Sequence, residues 1–140
     1  MIYESVLLGL QRATHSTLRR LTTALADLNL TASEINALAN LTNSELRTVS
    51  QLAAATGAKP STMTSLLDRL EGRDLIMRCG EIDGDRRVVL ISLTKSGEAV
   101  AKAIRQVVAD QEKQALSGLP KEALAGFQQV LQALIEVDHE

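Results

Sequence analysis

The sequence has almost no aromatic residues: Tyr3 and Phe127 are the two among 140. Proteins that grip single strands or RNA loops stack bases on aromatic side chains, so the composition argues against that mode of binding. One cysteine, Cys79, excludes an internal disulfide framework. The two histidines, His15 and His139, are far apart, and Cys/His zinc spacing is absent. No run approaches the roughly 20 apolar residues that a membrane span needs, and the N-terminus lacks the charged-then-apolar pattern of a secretory signal. A cytoplasmic location is therefore expected. There is no nucleophile–base pair, no phosphate-cradling glycine loop and no metal-ligand cluster. Neither an enzyme nor a bound cofactor or metal is expected.

Hydrophobic residues make up 45% of the chain, which suits a folded core and excludes disorder as the expectation. The formal net charge of -2 is unevenly spread. Residues 1–46 carry three basic and four acidic side chains, residues 47–95 eight and six, and residues 96–140 four and seven. Only the middle is positive, by a modest margin that would not mark a nucleic-acid binder unaided.

Local pattern supplies the organisation. Ile2, Val6, Leu10, Ala13, Thr17, Leu21 and Leu25 recur at helical spacing, so a helix is expected over 2–26. Thr31 with Glu34, and Thr48 with Gln51, are capping boxes that start helices at Ala32, running to about Leu41, and at Val49, running to Thr56. The second of these buries Val49, Leu52 and Ala53. Gly57 suits a sharp turn. Pro60 suits a first helical position, and the helix to Glu71 buries Met63, Leu66, Leu67 and Leu70 before Gly72 ends it. Strands are expected over Leu75–Cys79 and Val88–Leu93, joined through the charged tip Asp83-Gly84-Asp85-Arg86-Arg87. Cys79 reads as a small packed strand residue, and Met63 and Met77 as core or strand filler. Thr94 caps a helix of about two dozen residues, and a last helix covers Lys121–Val137 with Leu124, Phe127, Leu131 and Leu134 on one side.

Helix, tight turn, helix, strand, charged tip, strand is the order of a winged helix-turn-helix, which places one helix in the major groove and a hairpin beside the phosphates. The fold class expected is mainly α with a small β-hairpin wing and long terminal helices. Those helices carry more apolar surface than the small central module can cover, which points to a partner, most simply a second copy about a two-fold axis.

Three stretches carry a resemblance beyond this. "VSQLAAATGAKPSTMTSLLDRLEGRDLIMR", "DGDRRVVLISLTKSG" and "LTASEINALANL" are similar to the helix-turn-helix, the wing and the second helix of the MarR family of bacterial transcriptional regulators. The spacing of Asp85-Arg86 and Leu93-Thr94-x-x-Gly97 is the most specific part. The resemblance covers nearly the whole chain. It implies a single domain over 1–140, with a DNA-binding lobe at 31–96 and helical dimerisation segments at 1–28 and 97–140. It also implies a homodimer on a pseudo-palindromic operator, usually a repressor and often released by a small molecule. The reactive N-terminal cysteine of peroxide-sensing members has no counterpart here.

The expected DNA contacts follow. Ser61, Thr62, Thr64 and Ser65 offer hydroxyls that bond phosphates or several bases; the plainer reading of Ser61 and Thr62 is a polar first turn. Lys59 and Arg69 are phosphate or base contacts. The resemblance sends Arg86 into the minor groove, where guanidinium is favoured, with Asp85 orienting it. The alternative is a solvated turn whose exposed ion pair is worth little. Arg87 meets a phosphate or turns back to an acid. Arg47 and Lys95 sit at helix edges, and Arg73 and Arg78 dress the lobe. His15 reads by itself as a packing or surface residue; by the resemblance it borders an effector pocket with Arg12 and Arg19. The rival reading is a winged-helix protein-interaction module without DNA binding.

Overall fold

The computed structural model describes residues 5–42, 45, 47–83 and 86–137, with the backbone alone for 81–83 and 86–88. Helix α1 spans Val6–Ala24 and is opened by Ser5, whose hydroxyl accepts the Leu8 N–H at 3.2 Å. A 3₁₀ turn, Ala26–Leu28, follows and ends at Asn29 in the left-handed region (φ 53°), a conformation that asparagine tolerates. Helices α2 (Ala32–Ala39) and α3 (Val49–Thr56) both carry complete capping boxes. In α2 the Thr31 N–H donates to Glu34 Oε1 at 2.8 Å, and in α3 the Thr48 N–H donates to Gln51 Oε1 at 2.9 Å.

Gly57, at φ 78°, closes α3 in the left-handed conformation expected of it. Helix α4 then runs Pro60–Gly72 with Pro60 in its first position. The helix does not end on a left-handed glycine. Gly72 is its last helical residue, and the positive φ falls on Asp74 (59°), which turns the chain into β2.

The sheet has three antiparallel strands in the order β1-β3-β2: β1 (Arg47–Thr48), β2 (Ile76–Asp83) and β3 (Arg86–Leu93). The hairpin is longer than the sequence suggested. Pairing continues from Ile76↔Leu93 to Asp83↔Arg86, so most of the charged tip has strand backbone. Strand β1 was not expected; it pairs Arg47 with Ile91 and Thr48 with Leu90. Helix α2 ends two residues before the expected Leu41, which is nonetheless fully buried.

The core gathers Leu38, Leu41, Leu52, Met63, Leu66, Leu67, Leu70, Ile76, Ile91 and Ile104, each under 2% exposed or at that level. Burying each such side chain stabilises the fold by about 1.5–3 kcal/mol. Val49 is half-buried at the edge of this cluster. Two expectations fail. Met77 and Cys79 are both exposed. Strand alternation sends Ile76 and Arg78 to one face and Met77 and Cys79 to the other. On that outer face Cys79 Sγ lies 3.9 Å from Ser92 Oγ.

Helix α5 (Lys95–Leu116) starts at a dense junction. Thr94 Oγ1 accepts the Gly97 N–H at 2.9 Å and donates to the Asp74 carbonyl at 2.6 Å. The Thr94 N–H meanwhile donates to the Leu75 carbonyl at 3.1 Å. A Cβ on Gly97 would overlap the Leu75 carbonyl oxygen. This explains the Leu-Thr-x-x-Gly spacing: threonine caps α5 and straps it to the α4–β2 turn, and the glycine admits that turn's backbone.

The chain falls into two compact units, 1–108 and 109–140. The core above lies wholly in the first. In the second, α6 (Lys121–Glu136) buries no residue fully and exposes Leu124, Phe127, Val130 and Ile135.

Candidate nucleic-acid interface

Helix α4 is amphipathic in a way that fixes what it can present. Met63, Leu66, Leu67 and Leu70 face the core, which leaves Ser61, Thr62, Thr64, Ser65, Asp68 and Arg69 outside, all exposed. Lys59 is the exposed N-cap residue, and its side chain caps nothing. The hydroxyls of Ser61, Thr62 and Ser65 make no hydrogen bond among the described residues, while Thr64 Oγ1 donates to the Pro60 carbonyl at 3.0 Å. That bond satisfies the hydroxyl proton and leaves a lone pair outward. The face therefore offers small donors and acceptors with little bulk, fit to approach a groove closely.

Arg69 is not a free cation. Its Nε lies 3.7 Å from Glu34 Oε2, and the arginine side chain remains 56% exposed while that of Glu34 is 6% exposed. Glu34 thus serves twice, capping α2 with one oxygen and facing Arg69 with the other. Arg73, one turn further, sends both terminal nitrogens to backbone carbonyls, Nη1 to Asn29 and Nη2 to Leu28, each at 2.9 Å. It caps the 3₁₀ turn and belongs to the scaffold, as expected.

Arg78 does more than dress the lobe. From β2 its Nη2 meets Asp68 Oδ1 at 2.8 Å and its Nη1 lies 3.6 Å from Glu71 Oε1, so one guanidinium spans two carboxylates of α4. Sequence reasoning missed this fork. The signal lay in the residue types, an arginine three residues into a strand after an Asp-x-x-Glu helix face, but the separation of ten residues hides the contact.

On the wing, Arg86 and Arg87 are the first two residues of β3, in register with Asp83 and Ile82 of β2. Asp85 lies outside the described residues. Arg47 is half-buried in β1, and Lys95 is exposed at the first position of α5. Arg12, His15 and Arg19 lie along one stripe of α1, all exposed. An open depression of about 400 Å³ lies elsewhere, lined by Glu45, Arg47, Gln51, Ala54 and Ala55. None of the three α1 residues lines it.

Comparison with known proteins gives this geometry its context. Residues 30–89, from the start of α2 through the helix-turn-helix into β3, match the sequence model of the MarR family. The fold is that of S. aureus MepR in its DNA-binding conformation, with a TM-score of 0.84 at 21% identity over 95% of this chain and 98% of that one. It is also that of NadR in complex with 4-hydroxyphenylacetate, with a TM-score of 0.83 at 22% identity over 98% and 96%. A MarR family transcriptional regulator from Silicibacter pomeroyi DSS-3 is 25% identical over 96% and 95%, with a TM-score of 0.76. Residues 30–89, which hold both capping boxes, the outward face of α4, strand β2 and the first half of β3, thus match the MarR family, and the fold around them is that of MarR-type structures.

Proposed function

We propose that the protein is a homodimeric, sequence-specific binder of duplex DNA that acts as a ligand-responsive repressor. The observation that carries the reading is the outward face of α4. It is a stripe of small hydroxyl side chains bounded by Lys59 and Arg69 and set in a domain with a long two-stranded wing. In this reading α4 enters the major groove, with Ser61, Thr62, Thr64 and Ser65 at base edges and phosphates and with Lys59 and Arg69 at the backbone. The wing, with Asp85, Arg86 and Arg87, reaches the adjacent minor groove.

The lobe over 31–96 does the binding, and the segments 1–28 and 97–140 pair with a second copy. Exposed Val6, Leu7 and Leu8 on α1, and exposed Phe127, Val130 and Ile135 on α6, support that pairing, because apolar surface of this kind marks partners. Two recognition helices about one DNA turn apart, roughly 34–36 Å, then read a pseudo-palindrome. MepR in its DNA-binding conformation supports the DNA partner. NadR with 4-hydroxyphenylacetate supports a small-molecule effector, which we place against Arg12, His15 and Arg19 of α1.

The test is binding of the purified protein to its own upstream intergenic DNA, against a scrambled duplex of equal length, at two salt concentrations. Tight, salt-sensitive and sequence-selective binding is expected. Equal, weak binding to both, and to every member of a random duplex pool, would overturn the reading.

A further inference from the structure

The DNA-facing side of α4 contains a feature that works against DNA. Asp68 lies on the same helical stripe as Ser61 and Ser65, spaced four and then three residues apart, and its side chain is 62% exposed. Glu71, three residues on, is 46% exposed. A carboxylate brought against phosphates is repelled, and like charges juxtaposed in an interface weaken it strongly. Two such groups on a recognition helix need a compensating charge.

Arg78 is that charge, and its placement is specific. It sits in β2 opposite Ile91, whose other neighbour across the sheet is Arg47. Ile91 is fully buried, so this row of the sheet points toward the helices. The guanidinium is the most enclosed member of the trio, its side chain 28% exposed, and its two terminal nitrogens divide between the two carboxylates. Exposed pairs of this kind contribute little to folding, and the core beneath is complete without them. A planar fork that reaches two acids at once is a task for arginine, which lysine's single ammonium does not reproduce.

We propose that Arg78 is a positioning residue for DNA binding. It masks Asp68 and Glu71 from the phosphates and fastens the root of the wing to α4, so that helix and hairpin meet the duplex as one body. The inference rests on the DNA-binding reading above and deepens it.

The experiment is a charge-rescue cycle with the full-length protein and a labelled duplex selected by the wild type from a random pool. Arg78→Ala is expected to weaken binding about tenfold at low salt, with a smaller loss at high salt. Adding Asp68→Asn to that variant should restore most of the affinity, whereas Asp68→Asn alone should change binding much less. Thermal midpoints should stay together across the series, which separates masking from a structural role. Arg78→Gln keeps the side chain's stem over the sheet and gives the same measurement should Arg78→Ala unfold. If Arg78→Ala binds like the wild type, or if Asp68→Asn rescues nothing, the masking role is overturned while DNA binding stands. A wild type that selects no duplex overturns both.

Discussion

Replacing Gly97 by alanine tests how the helix-turn-helix lobe is joined to the start of α5. Gly97 is the third residue of α5, where alanine should gain up to about 1 kcal/mol over glycine by helix propensity alone. Propensity therefore predicts stabilisation. The packing predicts the reverse, because the added methyl would overlap the Leu75 carbonyl oxygen, a backbone atom with little freedom to move. Overpacking of this kind costs about 1–3 kcal/mol. The shift also disturbs the bond from the Thr94 N–H to that same oxygen and the Thr94 hydroxyl bond to the Asp74 carbonyl, worth about 1 kcal/mol each.

The balance is a net loss of about 2 kcal/mol, or a midpoint lowered by about 8 °C at roughly 4 °C per kcal/mol. Thermal unfolding followed by circular dichroism at fixed protein concentration measures it, the concentration being held because dimerisation would shift the midpoint. Gly72→Ala is the control. Nothing lies within 4 Å of its Cβ position and its φ is not positive, so it should be neutral or stabilising by up to about 1 kcal/mol. A Gly97→Ala variant as stable as Gly72→Ala would refute the reasoning.

Four further outcomes are expected. Arg86→Ala should weaken operator binding and lower the slope of log affinity against log salt by about one phosphate contact; an unchanged slope in a titration series would remove Arg86 from the interface. Thr31→Ala deletes the hydroxyl that caps α2 and should lower stability by about 1 kcal/mol, as read by urea unfolding. Leu67→Ala opens the core at a fully buried position and should cost about 2–5 kcal/mol, with loss of cooperative melting as the extreme result. Phe127→Glu with Val130→Glu places two charges on the exposed face of α6. Sedimentation should then report a monomer, and a persistent dimer would show that this face is not the contact.

How far the fold was legible depends on the distance over which each part is encoded. The two capping boxes, Gly57 and Pro60 act within four residues, and the helix starts at Ala32, Val49 and Pro60 and the end of α3 at Thr56 lie where these residues put them. The buried side of α4 followed from spacing alone. Strand β1 did not, because two residues become a strand only by pairing with Ile91 and Leu90, more than forty positions on. The extension of the hairpin through Gly80 and Asp83 likewise depends on pairing across β3, against the weak strand preference of both residues.

Side-chain roles divide the same way. The outward hydroxyls of α4 were legible because a helix face is a local property. The partners of its arginine and acids were hidden, since Glu34 lies 35 residues before Arg69 and Arg78 reaches back ten residues to Asp68. Cys79 and Met77 were misplaced for a related reason: composition marks a residue as apolar, but only the register of the strand decides which side it takes.

The attachments at the far end of α4 bear on how the protein could be switched. Arg69 and Arg73, one turn apart, hold the passage from α1 into α2 at three points: the carbonyls of Leu28 and Asn29 at the 3₁₀ turn and the Glu34 carboxylate in the first turn of α2. A rotation of α1 that displaces this connection must either drag the last turn of α4 along or break all three contacts. Met63 in its first turn is as deeply buried as Leu70 in its last, so α4 is moored along its whole length and can follow that connection only as one rigid piece, its outward hydroxyls moving together.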